Sequence, residues 1–257
     1  MTLRGCDGIL LAAGAGTRYG HPKVLAEGGD WLRSAVGALR DGGCERVYVV
    51  LGATGPAYRR TPDSDSESAS GTGPEWQVSQ THSILIPAGV QPVWASDWKT
   101  GMGASLRAGL AAVIGGPAIR RGRVAADGID ASQGLPKNRP PSCESAMTGG
   151  KGGLPEFVAI MPVDTPDVDA RVVARVLAAA RETESGLARA FFDDKPGHPV
   201  MFGRQHWAGV YAHLSGMEGA VSYLRGRADM VCVTCDDVAT GQDHDYPRHS
   251  HTPSGSK

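Results

Sequence analysis

Apolar residues along the chain fall into short continuous runs that alternate with spaced stripes. Gly8 to Ala12 (GILLA), Arg46 to Leu51 (RVYVVL), Val90 to Ala95 and Phe157 to Val163 are aliphatic or β-branched runs of strand length, and Met230 to Val233 is a late, shorter one. Between them, Trp31 to Arg40, Ala104 to Ile114 and Ala170 to Arg181 carry apolar positions three and four apart. In the second of these, Leu106, Leu110 and Val113 fall on one helical face. Strands alternating with helices predict an α/β fold, a doubly wound and mostly parallel sheet with helices on both faces.

Two stretches interrupt this order. Residues 58–82 include PDSDSESASGTGPE, and residues 115–155 are rich in Gly, Pro, Arg and Lys. Neither has the apolar content to offset the entropy of ordering it, so both are expected to be mobile surface insertions in one domain spanning 1–247. A disordered tail is expected at 248–257.

Charge narrows the range of partners. The 257 residues carry 26 basic and 27 acidic side chains, a formal net charge of −1, which argues against a general nucleic-acid or membrane-surface binder. Any anion site should therefore be local. No run approaches the roughly 20 apolar residues of a membrane span, and a cytoplasmic protein is expected. Five cysteines are scattered at positions 6, 44, 143, 232 and 235. Cys232 and Cys235 form a C-x-x-C, but no second pair and no following helix N-terminus support a zinc or redox role, so buried thiols are expected.

The chemistry concentrates after the first strand, in LAAGAGTRYGHPKVL from Leu11 to Leu25. Glycines at the carboxyl end of a strand let backbone N–H groups turn toward an anion, and Arg18 and Lys23 follow them at once. A Walker A loop is excluded, since no Gly-Lys-Ser or Gly-Lys-Thr follows. A dinucleotide fingerprint is disfavoured because a polar run ending in Pro22 stands where a packed helix should begin. The run fits a lid over a triphosphate, with both basic side chains facing solvent until the ligand arrives. Further along, Asp164 ends an apolar strand before Thr-Pro, where it could cap a turn or hold a hard cation.

LAAGAGTRYGHPKVL resembles the signature L-A-A-G-x-G-x-R-x-G-x-x-K of the MobA-like nucleotidyltransferases, and within them the molybdenum cofactor cytidylyltransferases. The resemblance implies a Rossmann-like fold of the nucleotide-diphospho-sugar transferase kind. It implies that Leu11, Ala12, Ala13, Gly14, Gly16, Thr17, Arg18 and Lys23 wrap a nucleoside triphosphate, with Arg18 and Lys23 on its phosphates. Relatives using GTP tend to carry Ala-Gly-Gly where this chain has Ala12-Ala13-Gly14, which points to CTP.

Three later segments resemble the same family in order. Gly101 to Leu106 (GMGASL) implies nucleotide contacts from Gly103 and Ser105, and Asp164 in Val-Asp-Thr-Pro implies an Mg2+ ligand. Lys195 to Phe202 (KPGHPVMF) implies acceptor contact from His198. Near the end, Asp243-His-Asp-Tyr-Pro aligns with the family's D-x-D-T-P-E-D with Tyr246 in place of Thr and no acidic pair after it. Asp243 is expected there as the second metal ligand, with Asp237 as its rival.

The activity implied is transfer of CMP from CTP to a phosphorylated acceptor, molybdopterin, releasing pyrophosphate. Arg18, Lys23 and Asp164 would be catalytic, Mg2+ the cofactor, and a molybdoenzyme under maturation a transient partner. A transferase acting on a sugar phosphate or other small phosphate stays open, as does a CTP-binding maturation factor without turnover.

Overall fold

The computed structural model describes residues 5–60, 76–115, 153–214 and 216–246. Most of the two polar stretches, the tail from 248 and Cys143 lie outside the described residues.

The predicted alternation forms. Strand β1 (Cys6–Ala12) leads through the loop to α1 (Asp30–Asp41) and β2 (Arg46–Leu51). Three two-residue strands follow, β3 (Tyr58–Arg59), β4 (Trp76–Gln77) and β5 (Leu85–Ile86), paired antiparallel in a small separate sheet. β3, β4 and the fully buried Val78 lie within the stretch 58–82 expected to be a mobile insertion, so both of its described margins are ordered by pairing and packing. The main sheet continues with β6 (Gln91–Trp94), α2 (Met102–Gly115), β7 (Phe157–Pro162) and α3 (Ala170–Glu182). Last come the hairpin β8 (Leu187–Phe192) and β9 (Lys195–Gly203), the short α4 (Trp207–His213) and α5 (Val221–Leu224), and β10 (Val231–Thr234).

The seven strands lie in the order β10-β8-β9-β7-β1-β2-β6. All neighbours pair parallel except β9, which is antiparallel to both β7 and β8. Asp193 and Asp194 close the hairpin with φ of 49° and 57°. Both fall in the left-handed region that two-residue hairpin turns require.

Period-two alternation sorts the core into two layers. Leu10, Val47, Val49 and Leu51 join Leu32, Val36 and Leu39 of α1 and Val172, Val176 and Leu177 of α3 on one face. Ile9, Tyr48, Val50, Val158 and Ile160 join Leu106, Leu110 and Val113 of α2 and Trp207 and Val210 of α4 on the other. With both faces covered, function is left to the loops at the carboxyl edge. No described helix is long and apolar enough to cross a membrane. Of the cysteines, Cys6, Cys44 and Cys235 are buried free thiols, whereas Cys232 is exposed, because the edge strand β10 turns it outward.

Candidate functional site

From β1 the chain steps outward to β2 and β6, then crosses to β7 on the other side of β1. At such a reversal the loops after the two central strands diverge and leave a crevice, the usual ligand position in an open α/β sheet. The loop after β1 and the loop carrying Asp164 border it.

Local backbone chemistry fixes the first loop. Ala12 and Ala13 are buried and Leu11 is half-buried at the strand end, while Gly14, Thr17 and Arg18 are exposed. Gly16 has φ of 61°, and a Cβ there would lie 1.9 Å from the His21 carbonyl oxygen, so the turn admits only glycine. The Gly20 N–H closes it by donating to the Gly16 carbonyl at 2.8 Å. From β2, the Ala53 N–H donates to the Ala13 carbonyl at 2.9 Å, and a Cβ on Gly52 would press within 2.6 Å of that same oxygen. Gly14 is different, because a Cβ there would meet nothing within 4 Å. The space above it is an open cradle.

Lys23 does not face solvent as the sequence suggested. Its side chain is only 14% exposed, and its ammonium donates to Asp164 Oδ2 and Asp245 Oδ1, both at 2.7 Å. Arg18, far more open, donates to Asp245 Oδ2 at 2.7 Å. The difference arises because the chain beyond β10 returns across the crevice and supplies an anion to the loop. Burial works against the Lys23 charge, but the two carboxylates outweigh it and hold its pKa above the ordinary lysine value. The hydrogen bond from Lys23, ahead of other effects, draws Asp245 below the usual carboxylate range.

The returning segment is anchored at several points. Asp167 Oδ2 accepts from the Thr240 N–H at 2.7 Å, the Thr240 hydroxyl at 2.6 Å and the Gly241 N–H at 3.1 Å. The His244 N–H donates to the Asp164 carbonyl at 3.1 Å. The His244 ring lies 5.5 Å from Trp31, which in turn packs 5.3 Å from the buried Tyr19 of the loop. Asp243 is brought close enough to feel Asp164: desolvation of its carboxyl, then the Asp164 charge, raises its pKa. Its rival Asp237 faces elsewhere, bound by both ends of Arg175 on α3 at 2.6 and 2.8 Å.

Gly103 and Ser105 are buried near the start of α2. His198 lies half-buried on β9, two residues beyond the Ile160–Val200 pair and so at the carboxyl end of β7, the edge that also carries Asp164. Burial, then the charge of Arg189, lowers its pKa to about 4, so near neutral pH it offers a ring donor and acceptor without charge.

Asp245, Asp167, Trp31 and Gly52 were not legible as site residues. Only Asp245 left a signal, in the D-H-D spacing. Among the described residues no three His, Cys, Asp or Glu side chains form a metal cage. Asp164 and Asp245 nevertheless converge on one cation, the Lys23 ammonium, and two hard carboxylates beside the glycine loop are a donor set that fits a divalent ion.

The sequence profile of the MobA-like NTP transferase domain matches residues 8–233. The chain belongs to that family. At this level its activity is nucleotidyl transfer from a nucleoside triphosphate to a phosphorylated acceptor. No curated protein matches the chain. Among solved structures, Rv0371c of Mycobacterium tuberculosis is 20% identical, with 96% of this chain and 95% of that one covered and a TM-score of 0.56. A second structure of Rv0371c, in complex with manganese, gives 19% identity, coverage of 93% and 94%, and a TM-score of 0.52. A nucleotidyl transferase from Methanothermobacter thermautotroptrophicus gives 14%, 90% and 88%, and 0.50. These likenesses establish the shared fold.

Proposed function

We propose that the protein transfers CMP from CTP to the phosphate of a small acceptor, molybdopterin, and releases pyrophosphate. The observation that carries this reading is the meeting of Arg18, Lys23, Asp164 and Asp245 at the mouth of the glycine loop. Asp245 there stands where a phosphate oxygen would, bridging the two cations. The triphosphate takes its place on Arg18 and Lys23, with Gly14 leaving room for backbone N–H groups to approach.

Asp164, with Asp243 or the freed Asp245, would hold Mg2+, which when bound supplies positive charge beside the phosphates; a relative crystallised with manganese supports a divalent ion. An acceptor phosphate oxygen attacks the α-phosphorus in line, so that one P–O bond forms as the bond to pyrophosphate breaks. Arg18 and Lys23 balance the negative charge that moves onto the leaving group. No covalent intermediate is required, and no Ser-His-Asp or Cys-His arrangement occurs among the described residues.

The preference for CTP rests on Ala12-Ala13-Gly14. The Ala13 methyl is buried in one cluster with Ala95 and Leu106, so any effect it has on the base would pass through the position of the turn. The test is pyrophosphate release with CTP, GTP, ATP and UTP in the presence of molybdopterin and Mg2+. CTP should be fastest, and equal rates with GTP would remove the claim. Binding of CTP without release in any combination would identify a maturation factor instead.

A further inference from the structure

The loop that grips the triphosphate accounts for two of the cations at this edge and leaves the second phosphate of the reaction, that of the acceptor, without one. We propose that Arg189 anchors the acceptor's phosphate, placing a phosphomonoester over the upper ends of β8 and β9 beside His198. This rests on the nucleotidyltransferase reading and extends it to a binding residue on the acceptor side.

Three observations carry it. First, position: Ala188 and Ala190 belong to the first core layer and Leu187 to the second, so Arg189 points to the second layer, the face that also carries Val200. Although Arg189 pairs with Val200 in mid-strand, its Nε donates to the Gly197 carbonyl at 2.8 Å, so the guanidinium has climbed to the carboxyl edge, next to His198. Second, the strand is built irregularly at this point. The pairing of β8 with β9 shifts register between Arg189 and Phe191, and such bulges re-aim a side chain beside a functional site.

Third, the charge is uncompensated. Arg189 is half-buried, and among the described residues no carboxylate lies within ion-pair distance of it, whereas Arg18, Lys23, Arg46, Arg175 and Arg227 each have one. A partly desolvated cation without an anion is costly, and desolvation lowers the pKa of Arg189 accordingly. With Nε committed to Gly197, the outer nitrogens can offer a phosphate the forked pair of N–H bonds that arginine makes and lysine does not. Neutral His198 adds a further hydrogen bond without competing for the anion.

The experiment is inorganic phosphate binding by calorimetry, in the parent protein, in the double variant Arg18→Ala/Lys23→Ala, and in Arg189→Gln and Arg189→Lys. Phosphate should bind the parent and the double variant alike and be weakened at least tenfold by Arg189→Gln, with Arg189→Lys in between. In turnover, Arg189→Lys should raise KM for the acceptor about tenfold while KM for CTP stays within twofold. The Lys variant keeps the charge, so it remains informative if the Gln variant does not fold. Phosphate binding that disappears in the double variant and survives both Arg189 changes would overturn the proposal, as would its absence in the parent. Loss of turnover with every nucleotide, while phosphate binding still depends on Arg189, would sink the nucleotidyltransferase reading alone.

Discussion

Lys23 sits between two carboxylates at 2.7 Å, and its environment decides what its removal does. Lys23→Ala leaves Asp164 and the nearby Asp243 without a cation and Asp245 with Arg18 alone, so the variant should lose about 1–3 kcal/mol of stability as well as triphosphate affinity. Arg18 is 68% exposed, and Arg18→Ala should weaken CTP binding at least tenfold while leaving urea unfolding nearly unchanged. A parent-like affinity in calorimetry for either variant would remove the phosphate-site assignment. His198 gives a pH signature. Its ordinary value of 6.5 falls to about 4 in the fold, so below pH 6.5 the unfolded chain takes up a proton that the folded chain refuses. This contribution is therefore intact above pH 6.5 and declines as pH falls toward 4, by about 2–3 kcal/mol at pH 4.5 from this residue. Urea titrations at pH 7 and 4.5 should show a smaller decline in His198→Gln than in the parent.

At the scale of elements, the glycine loop and the returning segment form one device held by different forces. Gly16→Ala puts a methyl against the His21 carbonyl at a positive φ, and should lower both melting temperature and nucleotide affinity. Gly14→Ala meets no neighbour, so it should melt like the parent yet bind CTP more weakly because the methyl fills the cradle. If the two variants behave alike, the cradle is misplaced. Asp167→Ala should free residues 240–246 to fast amide exchange while β1 and β7 stay protected, and Asp167→Asn, which keeps an acceptor oxygen, should restore much of the protection. The strands and helices were legible because periodicity is local: α1, α2 and α3 each begin and end within two residues of the predicted span. Arg18, Lys23 and Asp164 were legible because they lie in short motifs beside strand ends. Asp245 and Asp167 were not, since their partners lie 222 and 73 residues away in sequence, and no local pattern encodes that closure.

On the scale of the whole molecule, the segment beyond β10 supplies the loop cations with an anion from the chain itself. Asp245 occupies both loop cations, so a triphosphate gains only the difference between its contacts and those it displaces. The exchange favours the triphosphate if Asp164, with Asp243 or the released Asp245, gains a divalent ion in the same step, because carboxylates stripped of Lys23 would otherwise repel. Nucleotide and metal should therefore stabilise the fold together more than the sum of each alone. At a hundred times its Kd, CTP with Mg2+ should add about 2.7 kcal/mol, which for a chain of this size raises the melting temperature by roughly 5–10 °C. CTP with a chelator, or Mg2+ without nucleotide, should each give a small part of that shift, and GTP with Mg2+ less than CTP. In Asp164→Asn the Mg2+-dependent share should vanish while the chelator-resistant share remains. A thermal-shift panel checks all four conditions. A full shift in chelator would show that Lys23 and Arg18 hold the triphosphate without a metal, and Asp164 and Asp245 would then have to be read as partners of Lys23 rather than as metal ligands.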